Sequence, residues 1–177
     1  MDNRVLANLA VKKNLSDALF AILEKKGLGS VSVSELVERS GVSRSSFYRN
    51  FDSIDDVLAY GNSLLEDKYY DTCPYEAVDF TDIGCVTWHL GFWKRHAPQI
   101  VVLANSGIAH ITFGKMFEIS MRGNVDDRSD MICKQRFALG AFYAIALNWI
   151  ESGSPCKKED LARQFCTLLT QGILTDC

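Results

Sequence analysis

Residues 39–51 combine three arginines with short hydrogen-bonding side chains and contain no acidic residue. Arginine side chains hydrogen-bond to the edges of guanine, asparagine side chains to the edges of adenine, and hydroxyl groups to phosphate oxygens. A solvated surface helix is the alternative, but such a surface usually carries both signs of charge. The segment therefore predicts a helix that faces a nucleic acid. Its polar side chains, which we take as candidate DNA-binding residues, are Ser43, Arg44, Ser45, Ser46, Tyr48, Arg49 and Asn50.

The charge of the chain is unevenly distributed. The 177 residues carry a net charge of −3, but residues 1–51 carry eight Lys or Arg against five Asp or Glu, a net +3, and the remainder carries −6. A basic N-terminal part and an acidic remainder are the charge distribution expected if the N-terminal part binds a polyanion. Ordinary scatter of surface charge is the alternative explanation.

Two short helices position the candidate residues. Ser32 and Glu35 form a capping-box pattern that opens one helix, which runs to about Ser40 and buries Val33, Leu36 and Val37. Gly41 supplies a tight turn. Ser43 can cap the next helix, residues 44–51, whose inward side chains are Phe47 and Phe51. Two short helices joined by a glycine turn indicate a helix-turn-helix.

Longer helices flank this pair. The preceding helix has one apolar face, and Gly27-Leu28-Gly29 is expected to be its C-cap rather than a phosphate loop. Ser53 and Asp56 form a further capping pair, which opens a helix over residues 54–72. The apolar face of the preceding helix consists of Leu15, Ala18, Leu19, Ile22 and Leu23.

The rest of the chain also has helical patterning. The composition, 47% apolar and 23% charged, is that of a globular protein, and only three prolines are present. Residues 79–97 and 132–150 are apolar nearly all round and are expected to be enclosed by other helices. Further helices are predicted within 108–119 and over 158–173, with Gly153-Ser154-Pro155 as a stop signal. We therefore predict an all-α fold of about nine helices.

The sequence lacks the motifs that are typical of several functional classes. The six cysteines form no Cys-x-x-Cys pair, so a zinc site or a dithiol motif is not expected. We also predict no other metal site and no cofactor. Nucleophile-elbow, Walker and His-Glu-x-x-His motifs are missing, so we predict that the chain is not an enzyme. The longest apolar run is too short to span a bilayer, and the first residues do not resemble a signal peptide. A cytoplasmic protein that associates with the nucleoid when bound to DNA is expected.

Residues 11–58 resemble the DNA-binding head of the tetracycline-repressor (TetR/AcrR) family of bacterial transcriptional regulators. Val33-Ser34-Glu35-Leu36-Val37 is similar to its second helix, Ser40-Gly41-Val42-Ser43 to its turn, and the Phe-Tyr-x-x-Phe ending of residues 44–51 to its third helix. Residues 137–169 resemble the C-terminal helix pair of a common subgroup. The resemblance implies that Tyr48 contacts phosphate, and that Ser32 and Ser34 bind phosphate at a helix N-terminus.

The resemblance further implies that Ser43, Arg44, Ser45, Arg49 and Asn50 face bases or the adjacent backbone. One position departs from the family pattern: the lysine that commonly begins the fourth helix is replaced by Ile54, followed by Asp55 and Asp56. DNA affinity is therefore expected to be weaker or differently arranged at that point.

In the family, the remainder of the chain senses a ligand and forms a dimer. Aromatic side chains and two histidines seven residues apart are numerous enough to line an apolar effector pocket. At each single position, however, the aromatic residues are more often simple core residues, and the histidines are more often satisfied core or surface residues than ligands for a metal or polar group. The candidate pocket residues are Trp88, His89, Phe92, Trp93, His96, Phe113, Phe117 and Phe142.

The last two helices have apolar faces larger than one small domain should bury, which predicts a four-helix bundle with a second copy. The candidate interface residues are Ile145, Trp149, Leu161, Phe165 and Leu168.

These observations lead to one favoured function and one alternative. Residues 1–53 are expected to form the DNA-binding domain, joined by helix 54–72 to a regulatory, effector-binding and dimerisation domain over 54–177. The favoured function is that of a ligand-responsive transcriptional regulator, and we expect it to repress transcription. It would bind a near-palindromic operator as a homodimer and respond to a small apolar or aromatic effector. The alternative is a protein-interaction co-regulator of the same fold with weak or no DNA binding of its own.

Overall fold

A computed structural model of the chain describes residues 2–106, 114, 116–118 and 129–172, and every regular element in these residues is helical. The predicted all-α class is confirmed. A short 3-10 helix, Leu28–Ser30, lies between the first two α-helices, and residues 114 and 116–118 are also helical. The α-helices are α1 Asn3–Leu23, α2 Val33–Ser40, α3 Arg44–Asn50, α4 Ile54–Thr72, α5 Ile83–Arg95, α6 Ala97–Asn105, α7 Ser129–Glu151 and α8 Lys158–Gln171.

The chain divides into two compact units, Met1–Thr72 and Cys73–Cys177. Helix α4 packs within the first unit, against α1. The functional boundary after residue 53 stays a prediction.

In the first unit, α1 packs against α2, α3 and α4. The predicted apolar spacing places Leu15, Leu19, Leu36 and Phe47 in its core, where Leu58 of α4 joins them, and each of these side chains is fully buried. Phe51 is also buried, as predicted, whereas Val33 and Val37 are only half-buried. Burial of this kind contributes roughly 1.5–3 kcal/mol per large apolar side chain. It therefore holds the two short helices against α1.

The predicted C-cap at Gly27-Leu28-Gly29 is wrong. Helix α1 ends at Leu23, where Glu24 in the right-handed helical conformation is the cap and donates its amide to the Phe20 carbonyl. Gly27 has a φ of −69° and precedes the 3-10 helix. Because the chain turns without a left-handed residue here, it does not require the conformational freedom of glycine.

The beginning of α1 extends beyond this core. Residues 3–10 are helical and every one of them is exposed, including the apolar side chains of Val5, Leu6 and Leu9. The first buried side chain of the helix is that of Leu15.

In the second unit, α5 packs against α6, α7 and α8, and α6 packs against α7. The ring centroid of Phe80, in the segment before α5, lies 5.7 Å from that of Phe142 and 6.1 Å from that of Phe165. These three buried rings join the segment, α7 and α8 into one apolar core. Cys85, Val86, Leu90, Leu103 and Leu139 complete it, each almost fully buried.

One boundary in this unit differs from the prediction, and other predictions fall on residues that the structure does not describe. Helix α5 begins at Ile83 rather than near Asp79, because the Asp82 carboxylate accepts the Cys85 amide proton at 2.8 Å. Asp79 instead accepts from Thr81 in the preceding turn. The predicted helix within 108–119 lies outside the described residues except for 114 and 116–118, and Ile173 also lies outside them.

The prediction that residues 132–150 are buried on all sides is wrong for the single chain. Helix α7 buries one face, with Leu139, Phe142 and Trp149 inward, and leaves Phe137 57% exposed. A helix that is apolar on all sides is expected to be buried, but the sequence pattern does not show whether its own chain or a second chain buries a given face.

The predicted stop signal after α7 is confirmed. Gly153 and Ser154 have φ values of +78° and +57°. The Ser154 amide donates to the Trp149 carbonyl at 2.8 Å and the Gly153 amide to Ile150 at 3.1 Å, which closes the helix end. None of the helices in the described part of the chain is long and apolar enough to span a membrane.

Candidate nucleic-acid interface

Helices α2 and α3 are joined by a glycine that the turn requires. Gly41 has a φ of +67°, a left-handed conformation that other residues adopt at a cost, and it ends α2. Val42 follows it and is half-buried, and Ser43 then caps α3. The predicted helix-turn-helix is therefore formed, and the turn fixes where α3 begins.

The hydroxyl of Ser43 serves the structure of α3. Its Oγ accepts the Ser46 amide proton at 3.2 Å and donates to Ser46 Oγ at 2.9 Å, and it lies 3.0 Å from Ser45 Oγ. The Asn50 side-chain amide likewise turns back to its own helix and donates to the Ser46 carbonyl at 2.8 Å. Three of the candidate DNA-binding residues therefore stabilise α3 from within: Ser43, Ser46 and Asn50.

The remaining candidates on α3 are exposed. Arg44, Ser45, Tyr48 and Arg49 all face solvent, and we call these four residues the recognition face. Tyr48 is 51% exposed although its ring packs edge-to-face on the buried Phe47, with centroids 5.1 Å apart. A large exposed aromatic ring held in this way presents its hydroxyl at a defined place on the surface.

Arg44 connects the recognition face to the start of α2. Its Nη1 donates to Ser34 Oγ at 3.4 Å, and its guanidinium carbon lies 5.8 Å from the centroid of the Tyr48 ring. Ser32 and Ser34 are exposed at the α2 N-terminus, where Ser32 Oγ accepts the Glu35 amide proton at 3.2 Å.

The predicted capping box at Ser32 and Glu35 is formed: Ser32 Oγ accepts the Glu35 amide proton, and the Ser32 backbone donates a hydrogen bond to the Glu35 carboxylate. The Glu35 carboxylate accepts from the ammonium of Lys26, which also donates to the Ser30 carbonyl at 3.0 Å. The hydrogen bond from Lys26 is the main cause that lowers the pKa of Glu35 below its ordinary value, and the hydrogen bond from the Ser32 backbone helps to lower it. This ion pair joins the segment after α1 to α2, and local spacing could not have revealed it because the partners lie nine residues apart.

The start of α4 is acidic and internally paired. Ser53 and Asp56 form the predicted reciprocal cap: Asp56 Oδ2 accepts the Ser53 amide proton at 2.9 Å, and Ser53 Oγ accepts the Asp56 amide proton at 3.1 Å. Asp56 Oδ2 also accepts from the Asp52 amide at 3.2 Å. The carboxylate thus occupies amides that an anion could otherwise bind at this helix end.

Comparison with known proteins agrees with this architecture. Residues 15–60 match the family model for bacterial regulatory proteins of the tetR family. The fold matches a TetR transcriptional regulator from Streptococcus agalactiae 2603V with a TM-score of 0.67 and 17% identity, covering 94% of this chain and 97% of that one. A second, from Rhodococcus sp. RHA1, matches with a TM-score of 0.54 and 16% identity over 90% and 94%. The chain has the TetR fold, and the family resemblance is confirmed.

No curated protein matches this sequence. The family-model match ends within α4, so it covers the helix-turn-helix of the TetR-type head and not the second unit. The structural matches extend over both units and, at such low identity, establish the shared fold alone.

In the second unit of this TetR-type chain, α5 and α7 bring several of the candidate pocket residues together. The Trp88 and Phe92 rings stack with centroids 5.7 Å apart, and Phe92 lies 4.6 Å from His96. Trp93 meets Phe142 edge-on at 5.6 Å. Phe117 is half-buried, with the Arg136 guanidinium 4.5 Å from its ring centroid, and Phe113 lies outside the described residues.

His89 is a satisfied core residue. Only 6% of it is exposed, and its Nδ1 lies 2.7 Å from the carbonyl oxygen of Cys85 one turn earlier, a distance that fits donation from the ring. Burial is the main cause that lowers the pKa of His89, so the neutral form is favoured. Within the described residues, no group of three or more His, Cys, Asp or Glu could hold a metal ion.

The candidate interface residues fall into two groups. Trp149 and Phe165 are 4% and 3% exposed, because each fills the core of its own unit. Ile145 and Leu161 are half-buried and Leu168 is 43% exposed, so these three retain apolar surface. Phe137 on α7, which the sequence analysis did not single out for an interface, is exposed further than any of them.

Proposed function

We propose that this chain is a ligand-responsive transcriptional regulator that binds a near-palindromic operator as a homodimer and acts as a repressor. The recognition face carries this proposal. Arg44, Ser45, Tyr48 and Arg49 project from a short helix that follows a glycine turn, and no acidic residue lies between residues 39 and 51. Such a helix enters the major groove, where arginine contacts base edges and hydroxyl groups contact phosphates.

A homodimer supplies the second recognition helix. The apolar surface left uncovered on α7 and α8 supports it, with Phe137 57% and Leu168 43% exposed. Such a homodimer would carry two copies of α3, as a near-palindromic operator requires, whose half-sites lie about 34–36 Å apart in successive major grooves. Ile145 and Leu161 would lie in the same interface, whereas Trp149 and Phe165 would support it from within the core.

A small apolar or aromatic effector would bind in the second unit. The cluster of Trp88, Phe92, Trp93 and Phe142 supports this location, because a ligand that entered between α5 and α7 would meet aromatic rings, although Phe92, Trp93 and Phe142 are buried against neighbouring rings in the present structure. If the effector and the operator favour different conformations, each lowers the affinity of the other by the same factor.

The experiment that tests operator binding is selection from random duplex DNA by the purified chain at two salt concentrations. The expected result is enrichment of an inverted repeat, with an affinity that falls as salt rises. In Arg44→Ala and Arg49→Ala we expect affinity for the selected duplex to fall by about 1–3 kcal/mol each, with the fold and the dimer intact. Arg163→Ala, which removes an exposed arginine from α8, is the matched control.

The acidic start of α4 favours a second candidate, a co-regulator that pairs with another protein and binds DNA weakly or not at all. Asp52, Asp55 and Asp56 lie there, and Asp56 occupies the exposed amides. A chain that forms a dimer but enriches no DNA sequence, and whose activity survives both arginine substitutions, would establish this alternative and contradict operator binding.

A further inference from the structure

We infer that Ser34 is a positioning residue that orients the Arg44 side chain for base recognition, and that it is not itself a ligand of phosphate. This inference rests on the proposed function, since it concerns how the recognition face selects a sequence. It also assigns Ser34 a role different from the one that the family resemblance implies.

The contact of Ser34 with Arg44 joins two helices. Ser34 is the second residue of α2 and Arg44 is the first residue of α3, so the contact crosses the turn. Ser34 Oγ accepts from Arg44 Nη1 at 3.4 Å, while the Tyr48 ring lies 5.8 Å from the guanidinium carbon. A long hydrogen bond and an aromatic ring thus both contact one guanidinium that is otherwise exposed.

The chemistry of arginine makes this restraint useful. A guanidinium has five N–H donors, and bidentate recognition of guanine O6 and N7 uses two of them. The hydrogen bond to Ser34 uses one, so enough donors stay available for a base. A free arginine side chain loses considerable rotamer freedom when it is fixed on a base, and a side chain that is already restrained loses less. Ser34 would therefore strengthen a contact that depends on sequence.

A phosphate-binding role and a positioning role for Ser34 have different consequences. A phosphate contact strengthens binding to all sequences alike. A positioning role acts only through Arg44, so its loss weakens discrimination at the base pair that Arg44 contacts. It has no effect once Arg44 is gone.

The test uses the duplex that the unmodified chain selects from random DNA, together with its single-base-pair variants. Arg44→Ala should reduce discrimination at one base pair in each half-site by about tenfold or more. Ser34→Ala should reduce it at the same base pair by about three- to tenfold and leave the salt dependence unchanged. Ser34→Thr, which keeps the hydroxyl, should restore discrimination, and Ser34→Ala should add nothing in the Arg44→Ala background.

Because Ser34 is exposed and alanine favours helix, the Ser34→Ala variant is expected to fold. Ser152→Ala, which removes an exposed hydroxyl in the second unit, is the matched control. The inference is overturned if Ser34→Ala leaves the discrimination profile unchanged, or weakens all sequences equally and still does so without Arg44. If the unmodified chain enriches no sequence, the proposed function itself fails, and that outcome is seen before any variant is made.

Discussion

The backbone of Gly61 in α4 lies directly against the ring of Phe20 in α1. A Cβ at Gly61 would overlap Phe20 Cε2 and come within 2.7 Å of Ser16 Oγ. Phe20 and Ser16 are both buried, so neither side chain can easily move aside. The close approach of the two longest helices of the first unit therefore depends on the missing side chain at this position.

Gly61→Ala should destabilise the chain. Overlap within a packed core costs about 1–3 kcal/mol, which exceeds the gain of up to about 1 kcal/mol from replacing a helical glycine. Chemical denaturation followed by circular dichroism measures the change. Phe20→Leu removes the ring that the new methyl group meets, so the double variant should be less destabilised than the sum of the two single changes. If the changes in unfolding free energy of the two single variants simply add in the double variant, the overlap with the Phe20 ring is not what destabilises Gly61→Ala.

Stability should fall as the pH falls through about 6.5, because His89 is buried. Burial lowers the pKa of His89 below the ordinary value of 6.5. The unfolded chain therefore takes up this proton at a higher pH than the folded chain, so acidification favours unfolding until the folded pKa is reached. In His89→Gln the dependence of unfolding free energy on pH between 7.5 and 5.5 should be shallower. Equal slopes in the two proteins would refute the assignment.

Trp149 should be needed for the reversal between α7 and α8. Its indole Nε1 donates to the Cys156 carbonyl at 3.1 Å, and the Lys94 ammonium lies 5.4 Å from its ring centroid. Trp149→Phe leaves the carbonyl without that donor and a gap in the core, and we expect a loss of about 1–3 kcal/mol in unfolding free energy. Lys94→Met, which removes only the charge, should cost less than about 1 kcal/mol. A larger effect from Lys94→Met than from Trp149→Phe would contradict this ranking.

The proposed dimer should depend on Phe137 and Leu168. Lysine at either position places a charge where the apolar surface of a second copy would pack, and we expect dimerisation to weaken by on the order of 2 kcal/mol or more. Sedimentation or light scattering across a concentration series measures this. Val5→Lys is the matched control, because Val5 is 46% exposed but lies on α1. If Val5→Lys alone disrupts the dimer, the interface lies elsewhere.

Local interactions explain what could be predicted from the sequence. The reciprocal cap of Ser53 and Asp56 joins residues three apart, and the inward positions of Phe47 and Phe51 follow from helical spacing alone. The capping box of Ser32 and Glu35 also follows from local spacing, but the ion pair of Glu35 with Lys26 does not, because Lys26 lies in a different segment.

Long-range packing explains what could not. Phe80 lies in a segment without helical periodicity, yet it is 5% exposed, because α7 and α8 meet around it. Trp149 and Phe165 show the complementary problem. Their spacing predicts burial correctly but does not distinguish the core of their own unit from an interface with a second chain.

The exposed beginning of α1 has a consequence for motion. Residues 3–10 continue the same helix as Leu15 and Leu19 but contribute no buried side chain, so backbone hydrogen bonds, the Asp2 cap and intrinsic propensity keep them helical without core packing. Isolated helical segments of this length are marginal in water. The two parts of this uninterrupted helix therefore differ in their free energy of local opening. Amide protons near Arg4 should exchange rapidly with solvent, whereas those near Leu19 should exchange only on global unfolding.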